Sequence, residues 1–144
     1  MKKVMIIAAV AAATSLANAN EIADRLIAGT GPSKIETAVT NLVNFAFCEN
    51  VGIKTFSGPN VAAVGNFAFR GCQKIETVEL GAVEDMSKSV GVFSGCFSLT
   101  NVVLKSMSFS GRQKDSSFPW YAPNHDVKFV FKNGTFDRRG NRIK

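Results

Sequence analysis

The side chains best suited to chemistry are three cysteines, Cys48, Cys72 and Cys96, and a single histidine, His125. A thiol beside an imidazole can act as a nucleophile pair, two thiols can form a disulfide, and Cys with His can bind zinc. The cysteines follow one another in two equal steps of 24 residues, without a C-x-x-C pair, and His125 is distant from all of them in the sequence. This spacing indicates equivalent positions in a repeat, so we expect no catalytic residue, no metal site and no cofactor.

The repeat is clearest around the second and third cysteines. Residues 67–80 read FAFRGCQKIETVEL, and residues 92–104 read VFSGCFSLTNVVL. Each copy ends on apolar residues that alternate as a strand requires, in Ile75-x-x-Val78-x-Leu80 and its later counterpart. A period of this length with an L-x-x-L-x-L core is typical of a leucine-rich-repeat solenoid, in which parallel strands stack and share one core. We therefore predict a short solenoid of the α/β repeat type.

A weaker copy precedes these two. It reads Phe45-Ala46-Phe47-Cys48 and continues as Ile53-Lys54-Thr55-Phe56. Phe47 lies directly before Cys48, two residues closer than in the later copies, so we interpret this copy as an irregular first coil. Residues 35–43 are interpreted as a partial coil before it.

The cysteines are expected to stack as an inward structural column formed by Cys48, Cys72 and Cys96. An odd number leaves at least one thiol without a partner in the same chain. Adjacent coils lie roughly 5 Å apart, within the reach of a disulfide. Parallel side-chain directions do not favour the required dihedral angle, however, so we favour three buried free thiols over a disulfide pair.

The first 19 residues resemble a secretory signal peptide. Two lysines precede an apolar run from Val4 to Leu16, and Ala17-Asn18-Ala19 is an A-x-A cleavage site. Cleavage there would start the mature chain at Asn20, and no stable membrane insertion is expected afterwards. We expect a secreted, extracellular or cell-surface protein, with the periplasm as an alternative, and keep an uncleaved anchor as a second interpretation of the start.

The ends of the solenoid are predicted to be capped. Residues 20–28 have an apolar helical face that could cover the first coil, and the alternative is a mobile new terminus. At the other end, the two prolines of the FPWYAP segment favour an extended chain, which we interpret as a cap over the last coil rather than an aromatic binding patch. The cap residues proposed from this segment are Phe118, Pro119, Trp120 and Pro123. Alternation over residues 127–132, followed by Asn133-Gly134, predicts a closing β-hairpin.

The predicted organisation is therefore a signal peptide over residues 1–19, a leucine-rich-repeat domain over residues 20–136 and a basic tail over residues 137–144. Within the domain, the repeats cover about residues 35–117 and the cap covers residues 118–136. The whole chain carries a net charge of +6. Its basic character is concentrated in the last 17 residues, which hold six basic residues and one acidic residue.

These motifs resemble the BspA-like class of leucine-rich repeats, a bacterial secreted and surface family. Residues 64–72, VGNFAFRGC, follow the family pattern closely, residues 90–96, VGVFSGC, replace its Ala by Val, and the terminal F-P-W-x-A-P segment is also common in the family. The resemblance covers roughly residues 35–131. It implies a solenoid and an adhesion-like role, and it does not identify a ligand.

The outward positions of the predicted strands form the candidate ligand-binding face. These positions are Lys54, Thr55, Glu76, Thr77, Glu79, Thr100, Asn101 and Val103. Their mixed charge suits an unknown protein or glycan better than nucleic acid. We expect a binding module without catalysis; the alternative is a structural or assembly protein that docks through its cap or solenoid edge, and a small hydrolase is the least favoured hypothesis.

Overall fold

The structure is a computed structural model that describes residues 4–7, 33–110 and 122–144, the first of these ranges for its backbone only. The described residues contain nine strands. They are β1 (Val4–Ile7), β2 (Lys34–Thr37), β3 (Asn41–Leu42), β4 (Thr55–Gly58), β5 (Ala63–Val64), β6 (Thr77–Leu80), β7 (Asn101–Leu104), β8 (Lys128–Phe131) and β9 (Gly134–Asp137).

Seven of these strands form the main sheet, in the order β1-β2-β4-β6-β7-β8-β9. All neighbours are parallel except β8 and β9, which form an antiparallel hairpin. Thr55 pairs with Thr77, Thr77 with Asn101, and Asn101 with Lys128. Because each crossover returns the chain to the next position of the same sheet, the protein is a parallel β-solenoid of about three turns.

A second wall of the solenoid begins at a small parallel sheet of β3 and β5. Three six-residue back turns follow in the three coils: the first back turn (residues 45–50), the second (67–72) and the third (91–96). They are joined by backbone hydrogen bonds from coil to coil, including Phe47 N to Ala68 O at 2.7 Å and Phe69 N to Val92 O at 3.0 Å. Because these N–H groups donate to the next coil, they are not free to donate within a helix.

The expected α/β character is therefore not found in the described residues, which contain strands and turns but no helix. The predicted helix over residues 20–28 lies outside them. What the structure shows is the coarser architecture, a parallel β-solenoid.

The core lies between the main sheet and the back turns. In the main sheet, six strands each bury one inward residue in register, giving a continuous row: Ile35, Phe56, Val78, Val102, Phe129 and Phe136. Phe47, Phe69 and Phe93 of the back turns stack on one another, with centroids 5.6 and 5.8 Å apart. Phe56 of β4 contacts the first two of these rings. Neither wall buries its apolar residues without the other, which is the physical basis of the coil.

The C-terminal hairpin exists, but its turn is shifted from the predicted one. Phe131 pairs with Gly134, so the two-residue loop is Lys132-Asn133 rather than Asn133-Gly134. The Asn133 amide donates to Phe109 O and accepts from Phe109 N, both at 2.9 Å. These two bonds hold Asn133 at the loop and attach the chain near Phe109 to the hairpin.

Residues 137–144, predicted to be a separate basic tail, are part of this end of the sheet. Asp137 is the last residue of β9, and Phe136 forms a bridge with Arg142. Ile143 N donates to Thr135 O at 2.8 Å, and Thr135 N donates to Lys144 O at 2.9 Å. The chain end therefore covers the edge of β9.

At the opposite edge, β1 pairs with β2 from Val4↔Lys34 to Ile7↔Thr37. β1 belongs to the predicted signal peptide, so cleavage after Ala19 would make β2 the outer strand of the main sheet. No helix in the described ranges has the length and apolar character needed to cross a membrane.

Candidate functional site

The outward face of the main sheet carries two continuous rows of side chains. Strand alternation buries every second residue and leaves the others at the surface. The first row is Lys34, Thr55, Thr77, Asn101, Lys128 and Asp137, and the second is Glu36, Ser57, Glu79, Val103, Val130 and Thr135. We call this surface the strand face.

All eight predicted face residues lie on or beside these rows. Thr55, Thr77 and Asn101 are in the first row, and Glu79 and Val103 are in the second. The other three, Lys54, Glu76 and Thr100, are exposed and directly precede their strands. Backbone bonds align them, with Glu76 N donating to Lys54 O at 2.7 Å and Thr100 N to Glu76 O at 2.9 Å.

The centre of the second row is apolar. Val103 and Val130 are paired neighbours and are both partly exposed. Polar groups border them, including the Glu79–Lys105 ion pair at 2.5 Å. An apolar centre with a polar rim is the usual arrangement of a protein-binding surface.

The first row ends at a cavity of about 430 Å³. It lies where β7 and β8 begin, and the chain end closes it on one side. Its lining residues are Thr100, Asn101, His125, Asp126, Val127, Lys128, Asp137 and Ile143. The structure thus brings two predicted face residues, Thr100 and Asn101, together with the only histidine.

Hydrogen bonds fix much of the cavity wall. Thr100 Oγ1 donates to Glu76 O at 3.1 Å and accepts from Asn101 Nδ2 at 3.2 Å. The Asp137 carboxylate accepts from the backbone N–H groups of Arg139 and Asn141 and from Asn141 Nδ2. Burial acts to raise the pKa of Asp137, but these hydrogen bonds lower it overall. Asp137 is therefore ionised at neutral pH, and its oxygens already hold the wall in place.

The inward column differs from the predicted one at its first position. Cys72 and Cys96 are fully buried, and each thiol bonds the preceding coil, at Phe47 O and Phe69 O, both at 3.0 Å. The equivalent residue of the first back turn is Asn50. Its N–H bonds Phe47 O just as Cys72 N bonds Phe69 O and Cys96 N bonds Phe93 O.

Cys48 lies two residues before that position and is only partly buried. The reason is seen when the first two back turns are aligned on their inward phenylalanines, because Phe47-x-x-Asn50 then corresponds to Phe69-x-x-Cys72. The first coil is two residues shorter than the second, so the equal spacing of the cysteines does not follow structural equivalence.

All three cysteines are free thiols. Burial raises the pKa of the Cys96 thiol to about 12 and raises that of Cys72 further, while Cys48 shows an upward shift caused mainly by burial. A nucleophilic cysteine needs a lowered pKa, so these thiols are suited to packing. The described ranges contain no group of three or more His, Cys, Asp or Glu side chains arranged to hold a metal ion.

Of the predicted cap, Phe118, Pro119 and Trp120 lie outside the described residues. Pro123 is half-buried, and its carbonyl accepts a bond from Arg138 Nη1 at 3.4 Å. Pro123 is thus tied to the segment that follows the hairpin.

Face residues at the ends of the sheet were not predicted from the sequence. Lys128 and Val130 were assigned to a cap hairpin, although their strand continues the rows of β7 in register. The sequence did contain a signal, because residues 127–131 have the same strand-like alternation as residues 101–104. His125, Asp126 and Ile143 carried no such signal, because only the folded chain brings them to the cavity.

No protein family, curated protein or solved structure matches the chain in the comparisons made with each. The functional interpretation therefore depends on the geometry of the chain itself.

Proposed function

We propose that this protein is a secreted or cell-surface binding module that holds a protein ligand on the strand face, without catalysis. A glycan on the same face is the alternative ligand. The observation that carries the proposal is the pair of outward rows, which are continuous across six strands and reach the 430 Å³ cavity. A repeated strand surface of this kind offers many aligned contacts to one extended partner.

The charges on the face favour this class of ligand. Acidic and basic side chains are mixed on it, as in Lys34 and Glu36, which form an ion pair at 2.6 Å, and in Glu79 and Lys105. Nucleic acid would require a surface of one sign. The apolar pair Val103 and Val130 supplies the desolvated centre that a protein interface needs.

We propose that the coils are leucine-rich repeats of the BspA-like class, that residues 20–28 form a helix capping the first coil, and that residues 1–19 direct export. The VGNFAFRGC and VGVFSGC segments support the repeat class. The short apolar run before Ala17-Asn18-Ala19 supports export.

The test compares substitutions on and off the strand face. Thr77→Arg and Asn101→Arg each place a bulky charge in the first row, and Gln73→Arg places the same charge on an exposed turn outside it. The purified chain is screened by surface plasmon resonance against fibronectin, laminin and type I collagen and on a glycan array. The two row variants should weaken binding at least tenfold, whereas Gln73→Arg should leave the Kd unchanged. Equal effects of all three, or no effect of the row variants, would contradict the proposal.

A second function, assembly through the solenoid edge, has one specific observation in its favour. Among the described residues, β2 is hydrogen-bonded on its outer side only to β1, which lies in the predicted signal peptide. If residues 20–28 leave this parallel edge uncovered after cleavage, it can pair with another chain. Light scattering of residues 20–144 between 1 and 100 μM (roughly the range for weak strand pairing) tests this function: a concentration-dependent rise in molar mass supports it, and a constant monomer mass rejects it.

A further inference from the structure

A pair of stacked phenylalanines lies on the back wall, away from the strand face. Phe45 and Phe67 occupy equivalent positions of the first two back turns, with ring centroids 5.3 Å apart and planes inclined by 18°. Phe45 is 52% exposed. In the third coil the equivalent residue is Gly91, where a Cβ would lie 2.5 Å from Cε1 of Phe67. The absence of a side chain at Gly91 leaves the space in which the Phe67 ring lies, and Phe45 stacks on that ring.

The backbone at both rings is in the left-handed region. Phe45 has φ of 59° and Phe67 has φ of 56°, close to the 59° of Gly91. Glycine and asparagine adopt this conformation readily, and bulky side chains do so rarely. About half of the Phe45 surface is exposed to solvent, so burial in the core does not explain why a phenylalanine occupies this position. Backbone strain of this kind clusters at functional sites, which makes these two positions candidates for a binding role.

Each ring has an asparagine directly before it in the chain, Asn44 before Phe45 and Asn66 before Phe67. Asn44 Oδ1 accepts from Asn66 N at 2.8 Å, and Asn66 Oδ1 accepts from Val90 N at 2.9 Å. These bonds fix both amides, and their NH₂ groups make no hydrogen bond to any residue that the structure describes. The Arg70 guanidinium lies 5.7 Å from the centroid of Phe67. We call these five residues, Asn44, Phe45, Asn66, Phe67 and Arg70, the aromatic platform.

We infer that the aromatic platform binds a polysaccharide, with the apolar C–H face of a pyranose on the Phe45 ring and sugar hydroxyls accepting from Asn44, Asn66 and Arg70. The face of an aromatic ring is electronegative and attracts C–H groups, while amide and guanidinium N–H groups suit hydroxyl oxygens. This site is separate from the strand face proposed above for the protein ligand.

The size and charge of the platform distinguish this ligand from others. The apolar groups exposed here are Phe45 and, at the margins, Val43 and Val90. A stable protein interface buries about 800 Å² per partner, far more than three half-exposed side chains provide. Single-stranded nucleic acid needs a positive groove beside the stacking rings, and here Glu49 lies beside Arg70, bonded through its backbone N to Arg70 O.

The test uses the purified chain and four soluble polysaccharides: a β-1,3-glucan, a glucomannan, an arabinoxylan and a homogalacturonan. Binding is measured by affinity electrophoresis and titration calorimetry. Phe45→Asn removes the ring and suits the left-handed backbone, so the fold should be kept, as thermal unfolding will verify. Phe97→Ala is the matched control, because Phe97 is a more exposed phenylalanine (64%) outside the platform and outside the positive-φ residues.

Binding to at least one polysaccharide is expected, reduced at least tenfold by Phe45→Asn, retained by Phe45→Trp and unchanged by Phe97→Ala. Thr77→Arg on the strand face should not alter it, which separates this inference from the proposed function. The inference is overturned if no polysaccharide binds the wild-type chain, if Phe45→Asn binds as wild type does, or if Phe97→Ala loses binding equally.

Discussion

The first and third back turns share a backbone but not the residues that would suit it. In the third, the two left-handed positions are Gly91 (φ 59°) and Gly95 (φ 76°), and the inward position is Cys96. In the first, the same positions hold Phe45 (φ 59°), Glu49 (φ 62°) and Asn50. The second is intermediate, with Phe67 (φ 56°), Gly71 (φ 73°) and Cys72.

This difference shows that the coil, rather than the local residue, determines the backbone of each turn. Hydrogen bonds from one turn to the next hold the first turn in place, including Phe45 N to Asn66 O and Glu49 N to Arg70 O. The first turn therefore carries conformational cost that the third avoids by having glycine. In this first turn, Phe45 has its ring exposed at the surface, and Asn50 has its side-chain amide buried.

The largest effect is expected from the rings that all three turns share. Phe69 is fully buried and contacts Phe47, Phe56 and Phe93. Phe69→Ala should lower the free energy of unfolding by about 3–5 kcal/mol, measured by urea denaturation, because it leaves a cavity in the middle of the stack. Phe47→Ala, at the end of the stack, should lower it less. A larger loss of unfolding free energy for Phe47→Ala than for Phe69→Ala would contradict this order, because the end of the stack would then stabilise the fold more than its middle.

A smaller gain is expected from making the first turn more like the third. Asn50 is 1% exposed, and its Oδ1 has no hydrogen-bond partner among the described residues, while Nδ2 has a long bond of 3.4 Å to Cys48 O. Replacing an unsatisfied buried oxygen by a thiol should stabilise the fold, so Asn50→Cys should raise the free energy of unfolding by about 1–2 kcal/mol. Cys72→Asn, the reverse change one coil later, is the control and should destabilise. A loss of stability in Asn50→Cys would show that the oxygen is bonded.

The strands of the repeats could be predicted from sequence because their signal is local. The alternation around Val78 and Val102 places them inward in neighbouring strands, and the structure pairs these two residues. The column could not be predicted from the cysteines, because the step from Asn50 to Cys72 is 22 residues and the next is 24. Equal cysteine spacing and equal structural position are different properties when the coil length varies.

The rest depended on tertiary contacts. The Asn133-Gly134 signal predicted the hairpin, but the bonds of the Asn133 amide to Phe109 fix the loop one residue earlier. The cavity is built from three separate parts of the chain, around Thr100, His125 and Ile143, and no short motif encodes it. The aromatic platform was also missed, since Phe45 and Phe67 match the pattern of residues that would pack inward.

The smallest expected effect is a difference in stability between glycine and alanine at one position of the first turn. The sign of that difference tests whether the backbone there is left-handed. At a left-handed position glycine is favoured over alanine, so Glu49→Gly should be more stable than Glu49→Ala by about 1 kcal/mol. Lys54 is exposed and outside the positive-φ residues, and there the order should reverse, with Lys54→Ala the more stable. Thermal unfolding of the four variants measures both differences. If alanine were the more stable residue at both positions, the backbone strain assigned to Glu49 would be contradicted.

The most direct test of the shared coil and its altered first turn is thiol labelling of the native protein, followed by peptide mapping. Cys48 lies outside the column and is partly exposed, whereas Cys72 and Cys96 are fully buried and their thiols have pKa values raised by burial. Iodoacetamide at pH 8 (about half a unit below an ordinary thiol pKa) should modify Cys48 and leave the other two unmodified until the protein is unfolded, when all three react. Protection of Cys48 equal to that of Cys72 and Cys96 would contradict the column of Asn50, Cys72 and Cys96, as would a disulfide between any two of the cysteines.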